Sequence, residues 1–234
     1  MTLHLRDISL VHGDRTILRG INLQVEPGTV TSLLGPSGAG KSTLLRMAAG
    51  LLRPTSGEVL LDDPADPSRN TGNSVAMIFQ SLALWPHMTL RQHLEFVMDR
   101  RRYPTRALRR EEAVRLLSSL RLPLDRNLYP ARLSGGEQQR LAIGRALAQA
   151  PAYLLMDEPF SSLDDLLRDE LLTLTKSLKE DRNIGILYVT HRIDEALALS
   201  DRLVVLQGGG VTGSWQGDDI AQCDRDTILA CFRR

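Results

Sequence analysis

The sequence predicts an α/β fold in which a mainly parallel β-sheet carries helices on both faces. Short apolar segments recur along the 234-residue chain, and stretches with helical spacing separate them. Continuous apolar strands that alternate with helices are typical of sheets buried on both sides. The predicted strands are Val30–Leu34, Val75–Phe79, Tyr153–Met156, Gly185–Val189 and Leu203–Leu206. The predicted helices are Lys41–Leu51, Glu137–Gln149, Asp164–Glu180 and Arg192–Leu199.

The N-terminal region departs from this alternation. Leu3–Leu10 and Ile17–Val25 have the apolar pattern of strands, and a turn signal at Gly13–Asp14 lies between them. Two strands joined by a short polar turn form a hairpin. We therefore expect a small antiparallel β element before the first strand of the main sheet.

A helical insertion interrupts the strand pattern in the middle of the chain. Thr89–Arg101 and Arg109–Leu120 have helical character, and prolines punctuate them. This pattern predicts an inserted α-helical subdomain over 81–150. We expect the whole chain, 1–234, to form one domain. Its core is predicted to comprise 1–80 with 151–217, and 218–234 is predicted to be a C-terminal helix.

Composition places the chain among ordinary globular proteins. Hydrophobic residues make up 42% and charged residues 24%, and a net charge of +1 gives no general field for nucleic acid. No apolar run approaches the roughly 18 residues that span a bilayer, and no signal peptide is expected. Cys223 and Cys231 are expected ~12 Å apart on one helix, too far for a disulfide. Reduced thiols favour a cytoplasmic location.

The first chemical motif is a glycine-rich turn between the first buried strand and the helix that follows. It consists of Gly35, Pro36, Ser37, Gly38, Ala39, Gly40, Lys41 and Ser42, with Thr43 next. It fits the P-loop pattern G-x-x-x-x-G-K-[ST], in which glycines let backbone N–H groups face phosphate oxygens. The alternative is a glycine-rich turn with a stray lysine. The motif predicts a P-loop NTPase core that binds ATP and Mg²⁺, with Lys41 on the β- and γ-phosphates and Ser42 on Mg²⁺.

The second motif is an apolar strand, Tyr153–Met156, that ends in Asp157 and Glu158. A buried strand delivers such carboxylates to the sheet edge where ligands bind in this kind of fold. We expect Asp157 to support Mg²⁺ and Glu158 to act as general base on the attacking water. Apolar strands that end in Asp-Glu are common, so this interpretation depends on the P-loop in the same chain.

The third motif opens the helix predicted near Glu137. It consists of Leu133, Ser134, Gly135, Gly136 and Glu137. Ser134 can cap the helix, the glycines permit close approach, and the helix dipole directs its positive end outward. As a capping pattern alone it would be unremarkable. In a chain that already has a P-loop, it suggests that one nucleotide is held from two sides.

The string LSGGEQQR at 133–140 resembles the signature of ABC ATPases, and further motifs of that family occur in the family's order. Gln80 matches the Q-loop glutamine, Asp164 the D-loop aspartate and His191 the switch histidine. The resemblance covers about residues 1–216. Taken singly, Gln80 or His191 would more simply be a polar residue at a strand end.

The resemblance implies a homodimer in which two copies of the chain sandwich two ATP molecules. Each site would combine the P-loop of one copy with the signature of the other, so that Ser134 and Gly136 contact the other copy's nucleotide. Gln80 would ligate Mg²⁺ or the attacking water, and His191 would hold the γ-phosphate. Asp164 would communicate across the dimer. Lys41, Glu158 and His191 are all of the expected type, so both sites are expected to be catalytically competent.

One position departs from the family pattern. An aromatic residue usually stands before the first hairpin turn and stacks on adenine, and the matching residue here is His12. An imidazole can stack, best when protonated. His12 would then bind adenine more weakly or with less selectivity for ATP over GTP. The alternative is that His12 is merely a turn residue.

The resemblance also implies a place at the membrane. Leu84–Thr89 looks like the segment of bacterial importer subunits that borders the groove for a membrane subunit, although Trp85 also fits a core residue. It implies an ATPase motor, peripheral on the cytoplasmic side of the membrane, whose partners are transmembrane permease subunits and, for import, an extracytoplasmic binding protein. An exporter, a lipid-moving system and a non-transport signalling ATPase are the alternatives. Neither the cargo nor the direction of transport is encoded in these motifs.

Six arginines fall within Arg100–Arg110. A solvated helical face is the default interpretation of such a run, and a face towards anionic lipid or an acidic partner is the sharper one. A regulatory domain after the ATPase domain is not expected, because the chain ends soon after His191.

Overall fold

A computed structural model of the chain describes residues 2–62, 74–125 and 127–233. The strands within these ranges are β1 (Thr2–His12), β2 (Arg15–Val25), β3 (Val30–Leu34), β4 (Ser56–Asp62), β5 (Val75–Ile78), β6 (Tyr153–Asp157), β7 (Gly185–Thr190), β8 (Arg202–Gln207) and β9 (Gly210–Gln216). The helices are α1 (Lys41–Ala48), α2 (Leu90–Val97), α3 (Arg106–Ser119), α4 (Gly135–Ala148), α5 (Asp165–Arg182), α6 (Ile193–Leu199), α7 (Asp218–Ala221) and α8 (Arg225–Cys231). No helix in the described ranges has both the length and the apolar character of a membrane span.

The larger sheet has the strand order β5-β6-β7-β3-β8-β9. The first five strands in this order run parallel, and β9 pairs antiparallel with β8 at the edge. Strands β3, β6 and β7 are buried along their whole length, as expected where helices cover both faces. The predicted mainly parallel α/β fold is confirmed. The sequence did not predict β9, because its glycines and polar residues hide the strand pattern.

The N-terminal antiparallel element is confirmed, and it is larger than predicted. β1 pairs with β2 on one side and with β4 on the other, which gives a three-stranded sheet. The sequence did not predict β4, since only Val59–Leu61 forms an apolar run within it. Leu3 and Ile21 of this sheet pack with Leu44 of α1 in one apolar cluster. The antiparallel sheet is therefore fixed directly against the helix that follows the P-loop.

Helices α2, α3 and α4 pack against one another, which confirms the predicted helical insertion. Leu94, Leu116 and Leu141 lie in their core, which is continuous with sheet residues such as Met156. α2 ends at Val97, before the predicted Arg101. Beyond it, the Asp99 carboxylate accepts a hydrogen bond from the Arg101 N–H at 2.8 Å, a local turn that competes with the helix. The division of the chain into 1–80 with 151–217, 81–150 and 218–234 stays a prediction.

Other helix ends follow from local caps. α1 stops at Ala48 and not at the predicted Leu51, because Gly50 adopts a left-handed φ of 70° and closes the helix. α3 starts at Arg106, earlier than the predicted Arg109, since the Thr105 hydroxyl accepts a hydrogen bond from the Leu108 N–H.

The single C-terminal helix predicted over 218–234 is wrong, and residue 234 lies outside the described residues. α7 ends at Ala221, and the Asp224 carboxylate starts α8 by accepting a hydrogen bond from the Thr227 N–H at 2.8 Å. Cys223 therefore precedes α8, and the 12 Å separation expected on one helix does not apply. Cys223 and Cys231 are buried and not bonded to each other. Burial raises the pKa of the Cys223 thiol.

Candidate nucleotide site

The glycine-rich turn connects buried strand β3 to α1. Gly38 and Gly40 have φ of 81° and 99°, a left-handed conformation that glycine adopts without strain. A Cβ at Gly35 would collide with the Leu206 carbonyl oxygen, and one at Gly40 would lie 2.7 Å from Leu18 Cδ2. No side chain caps the N-terminus of α1. Its first N–H groups therefore suit an anion, and Gly35 and Gly40 let the turn pack closely against its neighbours.

Lys41, the first residue of α1, is buried inside this turn. Its ammonium donates hydrogen bonds to the carbonyl oxygens of Gly35 at 2.8 Å and Pro36 at 3.0 Å. Nζ also lies 3.5 Å from Glu158 Oε1. Burial lowers the pKa of Lys41, and Glu158 acts in the opposite direction. A buried cation held by the carbonyls of a phosphate-binding turn is well placed to bind phosphate oxygens.

Ser42 and Asp157 face each other across the sheet edge. The Ser42 hydroxyl donates a hydrogen bond to Asp157 Oδ1 at 2.8 Å. Burial raises the pKa of Asp157, and the hydrogen bond from Ser42 acts in the opposite direction. A cation at this carboxylate would favour its ionised form. One hydroxyl and one buried carboxylate are hard oxygen ligands of the kind that Mg²⁺ binds, so the residues fit the predicted metal.

Glu158 lies just beyond β6, where the backbone leaves the strand with a left-handed φ of 43°. Its N–H still donates to the Val189 carbonyl at 3.0 Å, which keeps the residue at the sheet edge. His191 lies just beyond β7, with Nδ1 2.9 Å from Glu158 Oε2. Since a carboxylate only accepts hydrogen bonds, Nδ1 carries the proton of this contact. The neighbouring strands thus bring the predicted base and switch histidine together.

The structure joins five of the predicted site residues in one connected group, which we call the catalytic cluster. Its members are Lys41, Ser42, Asp157, Glu158 and His191. They follow β3, β6 and β7, which are neighbours in the sheet, and they lie at its carboxyl edge. Parallel strands place ligand-binding residues at this edge.

His12 and Gln80, also predicted at the nucleotide, lie outside the catalytic cluster. His12 is exposed at the end of β1 and pairs with Arg15 across the hairpin. Gln80 is exposed and follows β5, next to β6 in the sheet. Within the described residues, neither side chain hydrogen-bonds a member of the cluster. Their roles at adenine and at Mg²⁺ stay predictions.

The signature residues form a second helix N-terminus, at α4. Ser134 accepts a hydrogen bond from the Glu137 N–H at 3.3 Å, and Glu137 Oε2 accepts one from the Ser134 N–H at 2.8 Å. This reciprocal pair is a capping box. The backbone N–H of Ser134 lowers the pKa of Glu137, and the Ser134 hydroxyl adds to the effect. Leu133 is buried, whereas Ser134 and Gly135 are exposed.

The D-loop aspartate caps the next long helix. Asp164 accepts a hydrogen bond from the Leu167 N–H at 3.0 Å and so starts α5. Leu167 in turn packs on the signature, since a Cβ at Gly136 would lie 2.6 Å from Leu167 Cδ2. In the described residues, no hydrogen bond or ion pair joins the signature or Asp164 to the catalytic cluster.

Sequence reasoning missed a buried arginine in α4. Arg145 donates to the carbonyl oxygens of Leu82, at 2.8 Å, and Ala83. Both residues have left-handed φ, 54° and 46°, and they follow the Q-loop. The guanidinium also lies over the Trp85 ring, 5.0 Å from its centroid. Arg145 therefore holds the segment around Trp85 against α4, the helix that begins with the signature. No sequence motif indicated this contact.

A buried histidine supports the same segment. His93 Nε2 accepts a hydrogen bond from the Trp85 N–H at 2.9 Å, so Nδ1 carries the proton and donates to the Thr89 carbonyl at 2.8 Å. Burial lowers the pKa of His93, which favours this neutral form. Phe96, 66% exposed, makes an edge contact with Trp85 at 5.3 Å between centroids. Trp85 is thus packed on one side and borders an exposed aromatic on the other.

The fold and the catalytic cluster define a P-loop protein built to bind a nucleoside triphosphate. The chain belongs to the ABC transporter family, whose model matches residues 18–161. The family resemblance seen in the motifs is thereby confirmed.

Similar proteins include import ATP-binding subunits. The chain is 39% identical, over 90% of its length, to a sulfate/thiosulfate import ATP-binding protein of Synechocystis, of which it covers 59%. It is 43% identical, again over 90% of its length, to an sn-glycerol-3-phosphate import ATP-binding protein of Rhizobium meliloti, of which it covers 60%. The chain thus spans about three fifths of the length of these relatives.

Among solved structures, the fold resembles a dimeric ATP-binding cassette in a post-hydrolysis state, bound to ADP and Pi. The TM-score is 0.76 at 30% identity, and the match covers 92% of this chain and 98% of the cassette.

Proposed function

We propose that this protein is the ATP-hydrolysing motor subunit of a membrane ABC transporter, and that two copies close around two ATP molecules. The observation that carries this proposal is the catalytic cluster at the carboxyl edge of the sheet, in a chain of the ABC transporter family. The similar cassette that is dimeric and bound to ADP and Pi supports the nucleotide and the dimer.

The P-loop and the two acids divide the work at the nucleotide. The N–H groups of α1 and the ammonium of Lys41 would hold the phosphates, because both donors converge on the same glycine turn. Ser42 and Asp157 would hold Mg²⁺, with Gln80 as a further ligand. When bound, Mg²⁺ neutralises charge that develops on the transferred phosphoryl group.

Glu158 would take the proton of the attacking water at its carboxylate. His191 holds one carboxylate oxygen at 2.9 Å, and Lys41 lies 3.5 Å from the other. These contacts fix the base in position before water arrives, and positioning is most of what phosphoryl transfer requires from a protein. His191, 47% exposed, also has a face free to hold the γ-phosphate.

The signature would complete the site of the other copy. Ser134 and Gly135 are exposed at a helix N-terminus, and Gly136 below them is packed on Leu167. An exposed serine hydroxyl with the positive end of a helix dipole suits a phosphate that arrives from outside the chain. Leu133, buried beneath the turn, and Glu137, in the capping box, hold the signature in shape.

We further propose transmembrane permease subunits as the partner and the cytoplasmic side of the membrane as the location. The segment around Trp85, with exposed Phe96 beside it and Arg145 against the indole, offers an aromatic surface next to the Q-loop. The import subunits among the relatives favour import, with an extracytoplasmic binding protein as a further partner. Permease and binding subunits, absent from this chain, would choose the cargo.

The test is the solution mass of the Glu158→Gln variant with and without ATP and Mg²⁺. Removal of the base keeps the shape of the side chain, so ATP should stay bound and hold two copies together. Ser134→Arg in the same background should abolish the dimer. Ser118→Arg, at an exposed position of α3, is the matched control and should leave it intact. A variant that binds ATP but stays monomeric would count against the proposed sandwich.

A further inference from the structure

A second set of charged and polar side chains, separate from the catalytic cluster, is buried between the helix that Asp164 caps and the strand that leads to His191. It consists of Arg168 on α5, Glu195 on α6, and Tyr188 and Thr190 on β7, and we call it the relay cluster. Glu195 is 3% and Arg168 6% exposed, and the other two are more deeply buried still. Charged side chains are almost never buried to this degree without a specific partner.

Arg168 holds the D-loop end of this cluster. Its Nη2 donates to the Leu163 carbonyl at 2.5 Å, and its Nη1 pairs with the Asp165 carboxylate. These two residues flank Asp164, the cap of α5. The backbone around the D-loop aspartate is therefore tied to the side chain of Arg168, one helical turn further on.

Glu195 holds the switch end. Its Oε2 accepts hydrogen bonds from the Thr190 hydroxyl at 2.6 Å and the Tyr188 hydroxyl at 2.8 Å. The Thr190 oxygen in turn accepts from the Arg192 N–H at 3.1 Å, which closes the backbone around His191. His191 contacts the general base at 2.9 Å. A continuous set of contacts thus runs from Glu195 to Glu158.

The two ends meet in an ion pair that is incomplete. Arg168 Nε lies 3.1 Å from Glu195 Oε1, within ion-pair distance. The geometry is not that of a hydrogen bond, and neither atom finds a hydrogen-bond partner within the described residues. Arg192 Nε approaches the same oxygen at 3.5 Å, also without a hydrogen bond. One carboxylate oxygen is fully bonded and the other is not.

Stability alone does not account for such a cluster. A buried ion pair can often be replaced by apolar residues of similar volume at no loss, whereas removal of one partner is costly. A buried polar group without a hydrogen-bond partner calls for an explanation, and a functional role is one. A set of contacts that joins two sites can carry coupling between them when it can switch between two arrangements.

We propose that Arg168 and Glu195 are positioning residues that set the D-loop and the switch histidine relative to each other. Movement of the D-loop in a closing dimer would reach Arg168 through Leu163 and Asp165, then Glu195, and then His191 through Thr190. Docking of the second copy would thereby adjust the position of His191 and, through its 2.9 Å contact, that of the general base. This inference rests on the proposed dimeric ATPase and goes beyond it, since it names the side chains that link docking to hydrolysis.

The test compares charge-changing variants with variants that preserve packing. Glu195→Gln removes the charge at nearly constant shape. Arg168→Met combined with Glu195→Leu replaces the ion pair by apolar volume. It also removes the acceptor of the buried Tyr188 and Thr190 hydroxyls, so its Tm should fall. Lys179→Met is the matched control, because Lys179 lies on the same helix and pairs with Asp201 at 2.7 Å, far along α5 from the D-loop. For each variant kcat, KM for ATP, Tm and ATP affinity would be measured.

We expect kcat to fall roughly tenfold in Glu195→Gln and in the apolar double variant, within the range of measured coupling free energies. ATP affinity should stay at the wild-type value, because the catalytic cluster keeps its P-loop contacts. Lys179→Met should lower Tm without lowering kcat. A folded apolar double variant with wild-type kcat would overturn the proposal, as would losses in kcat that follow Tm equally in all three variants.

A second readout separates this proposal from the proposed function. The relay variants would be introduced into the Glu158→Gln background and their dimerisation titrated with ATP. If the parent stays monomeric with ATP bound, the sandwich fails. If Glu158→Gln itself dimerises, the proposed relay predicts that the variants at Arg168 and Glu195 need a higher ATP concentration than Glu158→Gln for half-maximal dimerisation. An unchanged midpoint together with wild-type kcat would refute the relay alone.

Discussion

Two helix N-termini in this molecule carry motifs predicted to bind phosphate, and they are built in opposite ways. α1 has no side-chain cap, and a buried lysine and two acids surround it. α4 is capped by Ser134 and by the carboxylate of Glu137, and its tip is exposed. The first is uncapped, buried and surrounded by charged partners. The second is closed by its own side chains and faces outward.

The difference shows which predicted site has partners within one chain. At α1 the predicted cation lies 3.5 Å from the predicted base, and the predicted metal ligands Ser42 and Asp157 hydrogen-bond each other at 2.8 Å. At α4, within the described residues, the side chain of Ser134 hydrogen-bonds only with Glu137 of its own capping box. An N-terminus already capped gains from an anion mainly through its dipole and an exposed hydroxyl. Such a site suits a supporting contact to a nucleotide that another copy binds.

The largest expected effect belongs to Glu158, the proposed general base of the α1 site. Glu158→Gln should lower ATP turnover by ~10²–10⁴-fold, the usual contribution of a general base. ATP affinity should be retained, because the P-loop contacts of Lys41 to Gly35 and Pro36 do not involve Glu158. Phosphate release and equilibrium nucleotide binding would measure the two quantities. Turnover near the wild-type rate would assign the base to another residue.

At α4, loss of the serine should affect turnover and not binding. Ser134→Ala should lower turnover by about 10²-fold, as for removal of one donor to a developing charge, and leave ATP binding by the monomer intact. Thr105→Ala is the control, since Thr105 caps α3 in the same way and should cost a similar ~1 kcal/mol of stability. If Ser134→Ala weakens ATP binding by the isolated chain, the two sites are not separate as described.

A smaller effect distinguishes the two signature glycines. Gly136→Ala should destabilise the fold by about 1–3 kcal/mol, because its Cβ would lie 2.6 Å from Leu167 Cδ2 and force that side chain to move. Gly135→Ala meets nothing nearer than 3.9 Å and should be neutral or stabilising by up to ~1 kcal/mol. Urea unfolding of both variants gives the free energies. Equal effects would mean that Leu167 does not define the position of α4.

The smallest effect concerns the capping carboxylate of α4. The pKa of Glu137 is lowered in the folded state, mainly by the Ser134 N–H, so its ionised form stabilises the fold. This contribution is present above the unfolded pKa and is lost as pH falls through the lowered folded value. As the pH falls below about 4.5, the Tm of Glu137→Gln should therefore drop less than the Tm of the wild type. The same decrease in wild type and variant would exclude the capping carboxylate as its source.

The sequence could indicate which residues the structure brings together in the catalytic cluster, because they lie at or soon after the ends of buried strands. Lys41, Asp157 and His191 follow β3, β6 and β7, and apolar runs locate strand ends clearly. Neighbouring parallel strands then bring those residues together at one edge.

Other features depend on tertiary contacts that leave no local pattern. β9 is a strand because it pairs with β8, not because Gly210–Gln216 is apolar. Arg168 and Glu195 lie in helices whose sequences predict only exposed charges at such positions, and their burial follows from how α5 and α6 pack on β7. The predicted C-terminal helix failed at Asp224, whose capping role required the following turn to be known.

The contacts of Arg145 limit how the segment around Trp85 can change. The arginine belongs to the signature helix, but the carbonyls and the indole that it binds lie about 60 positions earlier. The stretch around Trp85 therefore cannot be exchanged on its own, either in evolution or in chimeras built to change the proposed membrane partner. A replacement segment would keep its conformation only if its backbone carbonyls can accept hydrogen bonds from Arg145, or if α4 is replaced together with it.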